Sequence, residues 1–260
     1  MTPRDGRSTL QLFVIIPRQA GERPRGSRRG HDRGDLDEGD DGTSGWTVVT
    51  GLQAGSLPDR VQEPVGDVRG TVVVLAGSGE TERDFGYLTD HLTLADFRVE
   101  IFADVSIDPL SSRLGVLSAL EDPNNTGPLF LVGSDVGATL AAQIAVSDAP
   151  PVDALVLGSL SVRGPRLPRG VSLPQARALL VPTLVFHGDA DEVTDVADAV
   201  SWATQLPFGT VRLVPHGEHG LLGGDQRRTI AASTLLFFER HRAGEAVLSD
   251  GFAPSPGRDA

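Results

Sequence analysis

Leu129-Phe130-Leu131-Val132-Gly133-Ser134-Asp135-Val136-Gly137-Ala138 is the stretch on which the reading of this chain turns. Four consecutive apolar residues, 129–132, have the character of a strand buried on both faces of a parallel sheet. The small and apolar residues from 138 to 146 read as a helix. Between the two stands Gly-x-Asp-x-Gly, with Asp135 at its centre. A turn that tight strains the backbone of its central residue and lifts that side chain above the sheet edge. Gly133 and Gly137 carry no Cβ, so strand and helix can approach closely enough to make it.

Working outward, strands and helices alternate. Residues 70–76 (GTVVVLA) form a strong buried strand that ends in Gly77-Ser78-Gly79. Phe85, Leu88 and Leu92 then mark one face of a helix. Residues 98–103 read as the next strand, and Leu114 with Leu117 belong to a short helix. Beyond the central stretch, residues 154–158, 183–187 and 211–214 are further strands. Val196, Val200 and Ala203 mark the helix between the last two, with Asp195 as its cap. Ala231, Leu235 and Phe238 mark the final helix, which ends near Arg242. Residues 46–50 and 59–64 supply two earlier strand candidates. Strict alternation from 70 to 242 predicts a doubly wound, mostly parallel sheet covered on both faces. Ligands in such sheets bind beyond the carboxyl ends of the strands.

Composition narrows the chemistry. The 260 residues contain no Cys, which removes disulfides, Cys-ligated zinc and a thiol nucleophile together. They contain no Lys either, so all 23 basic residues are Arg and lysine Schiff-base chemistry is excluded. A net charge of −12 argues against nucleic acid, whose phosphates need a basic face. The first 45 residues hold eight Arg and eight Asp or Glu, so that charge belongs to the remainder. Residues 1–45 bury too little apolar surface to offset their ordering entropy and read as a disordered charged extension. Residues 243–260 read as a flexible tail, which leaves 46–242 as the folded domain. The apolar run at 10–16 is too short to span a membrane, and no small-x-small cleavage site follows it. The expected location is the cytoplasm.

The polar residues at the strand ends fall in an informative order: Asp135 in its glycine turn, then Gly188-Asp189-Ala190-Asp191, then Gly217-Glu218-His219-Gly220. Ser134 does not qualify as the centre of the turn, because positions 132 and 136 hold Val where Gly would be required. His187, Asp189, Asp191, His216 and His219 would also suit a metal by ligand type, but that reading ignores the turn and the chain order. A glycine-flanked strand–turn–helix, then an acid after a later strand, then a His, resembles the α/β-hydrolase superfamily over residues 46–242. In that superfamily the turn is called a nucleophile elbow. The resemblance implies a sheet of the α/β-hydrolase type, with Asp135 in the nucleophile's place, Asp191 in the acid's and His219 in the base's. It also implies an oxyanion hole from the backbone N–H of Val136 and of the Gly77-Ser78 turn. No cofactor or metal is called for, and the partner is a small-molecule substrate.

An aspartate nucleophile makes the elbow similar to that of haloalkane dehalogenases and epoxide hydrolases. A carboxylate attacks an sp³ carbon, leaves an alkyl ester on itself, and is freed by water that a His activates. That chemistry suits a halide or an epoxide. Attack on an ordinary ester would give an anhydride, a poorer route, so an ester belongs to the substrate class with Asp135 as a base. The chain departs from those enzymes at Val136, where the dehalogenases commonly carry an aromatic halide donor. It has a single Tyr, Tyr87, where the epoxide hydrolases use two. Only 24 residues separate Gly158 from Thr183, where a cap is usually inserted, so no cap domain is expected. Ser78 and Trp202 are the candidate leaving-group partners. Arg163, Arg166 and Arg169 lie in that short connection, where guanidinium groups would hold a substrate carboxylate or phosphate. The alternative is a hydrolase-fold protein that binds a small ligand without turnover, or uses Asp135 as a general base in a lyase-type reaction.

Overall fold

A computed structural model of the chain describes residues 55–147, 152–162 and 167–242. The strand expected at 46–50, the two terminal segments, and Arg163 and Arg166 lie outside the described residues. Seven strands run in the order β1-β3-β2-β4-β5-β6-β7 across one sheet. In chain order they are β1 (Arg60–Gln62), β2 (Gly70–Leu75), β3 (Phe97–Phe102), β4 (Leu129–Ser134), β5 (Ala154–Gly158), β6 (Thr183–Gly188) and β7 (Gly209–Val214). β1 pairs antiparallel with β3, and every other pairing is parallel. The helices between them are α1 (Gly86–Leu94), α2 (Pro109–Leu120), α3 (Val136–Ala145), α4 (Val196–Ala203) and α5 (Arg227–Arg242).

The period of two along each strand sorts the core into two layers. Val73, Leu75, Leu131, Leu155, Leu157 and Val185 pack toward α2, α3 and α4. Their neighbours Val72, Val74, Phe130, Val132, Val156 and Phe186 pack toward α1 and α5. On that second face the Phe130 and Phe238 rings stack with centroids 4.3 Å apart, and Phe97 meets Phe130 edge-on. Both faces are thus closed, and the strand ends are the open region left for chemistry.

Both helices that the apolar residues mark at 114–117 and 196–203 are present, and their buried faces extend beyond those residues. On α2 the buried residues are Ser112, Gly115, Val116, Ala119 and Leu120, with Leu114 and Leu117 half-buried. The cause is the chain at Ser56, which crosses the helix so closely that a Cβ on Gly115 would stand 2.0 Å from the Ser56 carbonyl oxygen. On α4 the buried residues are Ala199, Trp202 and Ala203, while Val196 and Val200 are half-buried. Asp195 caps that helix as expected, accepting from the N–H groups of Ala197 and Asp198. β7 begins two residues before the predicted apolar run, because an edge strand with exposed Thr210 and Arg212 carries little hydrophobic signal.

The described part of the connection from β5 to β6 holds one turn of 3₁₀ helix, Ala176–Ala178. Leu160, Val171, Ala176 and Leu179 from this connection enter the α2–α4 layer of the core. Among the described residues, no helix is long and apolar enough to cross a membrane.

Candidate active site

The elbow forms at the end of β4. Asp135 has φ 49° and ψ −116°, a conformation that L-residues rarely adopt. The two glycines enforce it. A Cβ on Gly133 would lie 2.5 Å from Ala138 Cα, and one on Gly137 would lie 2.1 Å from the Leu75 carbonyl oxygen. Asp135 is only 4 % exposed, so its carboxylate depends on protein donors. Ser161 Oγ donates to Oδ1 at 2.7 Å and the Ser78 N–H donates to Oδ2 at 3.3 Å. His219 Nε2 lies 3.6 Å from Oδ1, beyond a normal hydrogen bond but within ion-pair range.

On the far side of the ring, His219 Nδ1–H donates to Asp191 Oδ2 at 2.9 Å. Asp191 is held in turn by the N–H groups of Val193 and Thr194 at 2.8 and 2.9 Å, and by the Thr194 hydroxyl at 2.7 Å. Beneath it, fully buried His187 places Nε2 3.6 Å from Asp191 Oδ2. Asp191, His219 and Asp135 thus form a continuous array across the ends of β6, the β7–α5 loop and β4. Of the other residues weighed as metal ligands, Asp189 accepts the His216 N–H at 2.6 Å. No group of three or more potential ligands poised to hold a metal ion occurs among the described residues.

The surroundings set the charges. Burial alone pushes the Asp135 carboxyl up, but His219, Ser161 and Ser78 outweigh it and hold the group below its ordinary range. Asp191 is likewise driven well down, because its contacts with His219, Thr194 and Val193 overcome the cost of burial. Burial opposes the imidazolium of His219, yet the two flanking carboxylates push its pKa up to about 9. Stability follows from these directions. The two carboxylates contribute fully above their ordinary value of 3.8 and lose that contribution as the pH falls through their lower folded values. His219 contributes fully below its ordinary 6.5 and loses its contribution as the pH rises through about 9. Urea midpoints of the wild type are therefore expected to decline between those two pH values, and His219→Gln to flatten the decline. A flat wild-type profile would mean that the imidazole is not held between two carboxylates.

Of the expected oxyanion donors, Ser78 faces Asp135 as described. The Val136 N–H lies in the first turn of α3, where no intrahelical acceptor exists for it. The Gly77 N–H instead donates to Glu80 Oε2. Trp202, a candidate leaving-group partner, donates its indole N–H to the Pro174 carbonyl at 2.8 Å and belongs to the core. Tyr87 stacks on His91 along α1. Three residues of the site escaped the sequence reading: Glu80, Ser161 and Thr194. Glu80 has the spacing of a capping box, but Gly77 is not the Ser or Thr that marks one and the next helix starts only at Gly86, so nothing points to it. Ser161 had no signal either, since a serine past a strand end is ordinary.

No protein-family model matches this sequence. No curated protein matches it either. Solved structures do match. Est1E from Butyrivibrio proteoclasticus superposes with a TM-score of 0.59 at 13% identity, over 70% of this chain and 93% of that one. BpoC from Mycobacterium tuberculosis gives 0.60 at 16%, over 74% and 99%. The esterase domain of a Rhodothermus marinus protein gives 0.54 at 15%, over 70% and 91%. At such identities the likeness speaks to the fold, and the fold is that of the α/β-hydrolases.

Proposed function

We propose that the protein is a hydrolase of a small ester, halide or epoxide, working without a cap domain, with Asp135 as nucleophile. Asp191 and His219 complete the triad. The observation that carries this reading is the array of Asp191, His219 and Asp135, joined at 2.9 and 3.6 Å and seated on a strained elbow. A protein that only binds has no need of an acid–His pair aimed at a carboxylate.

In the first step, with a halide or an epoxide, Asp135 Oδ1 attacks the sp³ carbon and the bond from that carbon to the halogen or ring oxygen breaks. The halide leaves as the anion, and the epoxide oxygen takes the proton of the His219 imidazolium. Oδ2 rests meanwhile on the Ser78 N–H. Asp135 becomes a neutral ester, which removes one of the two charges that raise the pKa of His219. The imidazole then gives up its proton more readily and becomes the base that draws a proton from water. Water adds to Asp135 Cγ, and the N–H groups of Ser78 and Val136 receive the oxyanion. Collapse expels the alcohol and leaves one oxygen of water in the carboxylate. Proton release from His219 is thereby coupled to formation of the ester.

A second reading keeps Asp135 as a general base, or as part of a ligand-binding site without turnover. The Ser161 hydroxyl favours it, because a 2.7 Å bond occupies the attacking oxygen. A single turnover in ¹⁸O-water, over a panel of haloalkanes, epoxides and small esters, separates the two. The expected outcome is one ¹⁸O in the Asp135 peptide, read by mass spectrometry. Product without label in that peptide would sink the nucleophile assignment and leave Asp135 as a base.

A further inference from the structure

Glu80 lies outside the triad, yet its carboxyl joins the turn after β2 to the elbow and lies near the loop that carries His219. Its own N–H donates to the Gly77 carbonyl at 3.2 Å, and its Oε2 accepts the Gly77 N–H, closing the turn after β2 on itself. Its Oε1 accepts from Ser134 Oγ at 2.8 Å, and Ser134 is the fully buried residue immediately before Asp135. A Cβ on Gly77 would stand 3.0 Å from Oε2 and 2.7 Å from Asp135 Cβ, so turn and elbow are in close contact there. A Cβ on Gly220, the neighbour of His219, would stand 3.8 Å from Oε1.

A glutamine in this position would make the same contacts. Its amide oxygen would accept from Gly77, and its NH₂ would donate to the Ser134 hydroxyl. What the acid adds is a charge. Burial pushes the Glu80 carboxyl up, the bonds from Gly77 and Ser134 oppose this, and the charge of Asp135 raises it again. His219 draws it down, and that influence is mutual: an ionised Glu80 favours the imidazolium.

We infer that Glu80 is a positioning residue which docks the oxyanion turn against Asp135 and adds its charge to those that favour the imidazolium of His219. The inference rests on the reading of His219 as the base. The ionisable groups around His219 are Asp135 from the elbow, Asp191 and His187 from β6 and its following loop, and Glu80 from the β2 turn. Asp135 and Asp191 contact the imidazole directly, whereas Glu80 acts through space. Removing its charge therefore changes the proton affinity of His219 without cutting a bond to it.

The test is the pH titration of the imidazole nitrogens by ¹⁵N NMR in the full chain, with His219 identified from its loss in His219→Gln. In Glu80→Gln the His219 midpoint is expected to fall by about half a pH unit or more, while His241 keeps its own. An unmoved His219 midpoint in the folded variant overturns the inference. Should Glu80→Gln disturb the fold, Ser134→Ala tests the same link. It keeps the charge but removes a bond that holds the Glu80 pKa down, so the low-pH inflection that Glu80 imposes on the His219 curve moves upward. The same inflection in wild type and Ser134→Ala would also overturn the inference. No substrate enters either measurement. A His219 that shifts as expected in a protein that turns nothing over would uphold the role of Glu80 and refute the hydrolase reading.

Discussion

His219→Ala is expected to stop the reaction halfway, with Asp135 trapped as an alkyl ester. The first step needs a carboxylate, and the alanine variant keeps one: Asp135 retains the Ser161 and Ser78 bonds that hold it in place. The second step needs a base beside Asp135 Cγ, and the imidazole is the titratable group 3.6 Å from Oδ1. Loss of a positioned general base slows such a step by on the order of 10²- to 10⁴-fold. With a haloalkane, halide release should then show a burst of one equivalent followed by a rate lowered to that extent. The Asp135 peptide should gain the mass of the alkyl group. Asp191→Asn should leave less ester behind, because it removes the charge that orients the imidazole but not the imidazole itself. If His219→Ala lowers the burst and the steady rate together and no adduct forms, His219 takes part in the first step. Asp135 is then a base acting with it, and covalent catalysis is ruled out for the substrate tested.

How much of this was legible beforehand depends on the kind of signal each feature leaves. The interior strands are continuous runs of Val, Leu and Phe, because both faces of the sheet are covered, and such runs stand out in any sequence. The apolar signal of β7 covers only part of the strand because four of its six residues are exposed at the sheet edge. The elbow is legible because glycine is required where backbones touch, Asp191 because it follows a strong strand, and His219 because it stands in Gly-x-His-Gly after Asp191 in chain order. Glu80 and Ser161 were hidden for a different reason. Their partners, Ser134 and Asp135, lie 54 and 26 residues away, and only the sheet order brings them together. The leaving-group partner fared worst. Trp202 was weighed for its indole N–H, and the fold commits that N–H to Pro174. Backbone constraints imprint themselves on a sequence locally, whereas a polar network is written across strands that meet only in the folded sheet.

Gly137→Ala is expected to remove a large part of the stability of the fold. The added Cβ would lie 2.1 Å from the carbonyl oxygen of Leu75 and 2.7 Å from its carbonyl carbon. These are backbone atoms of β2, which is hydrogen-bonded to β3 on one side and β4 on the other, so they cannot yield as a side chain would. Overpacking against movable side chains costs about 1–3 kcal/mol. Here either α3 must lift from the sheet or the central strand must shift, and a loss above about 4 kcal/mol follows. That is a large part of the roughly 5–15 kcal/mol that holds a domain of this kind together. Gly86→Ala is the matched control: its Cβ would meet nothing within 4 Å, and it opens α1 with φ in the ordinary range. It should be neutral or slightly stabilising, by up to about 1 kcal/mol. Urea unfolding of the two variants, compared by midpoint at constant slope, reads the difference directly. Equal midpoints would mean that α3 does not press on β2 at Gly137. The positive φ of Asp135 would then lack the close packing that enforces it, and the carboxylate would be free to relax away from Ser78 and His219. The stability of the elbow and the geometry of the nucleophile are thus one claim, tested at a residue that takes no part in the chemistry.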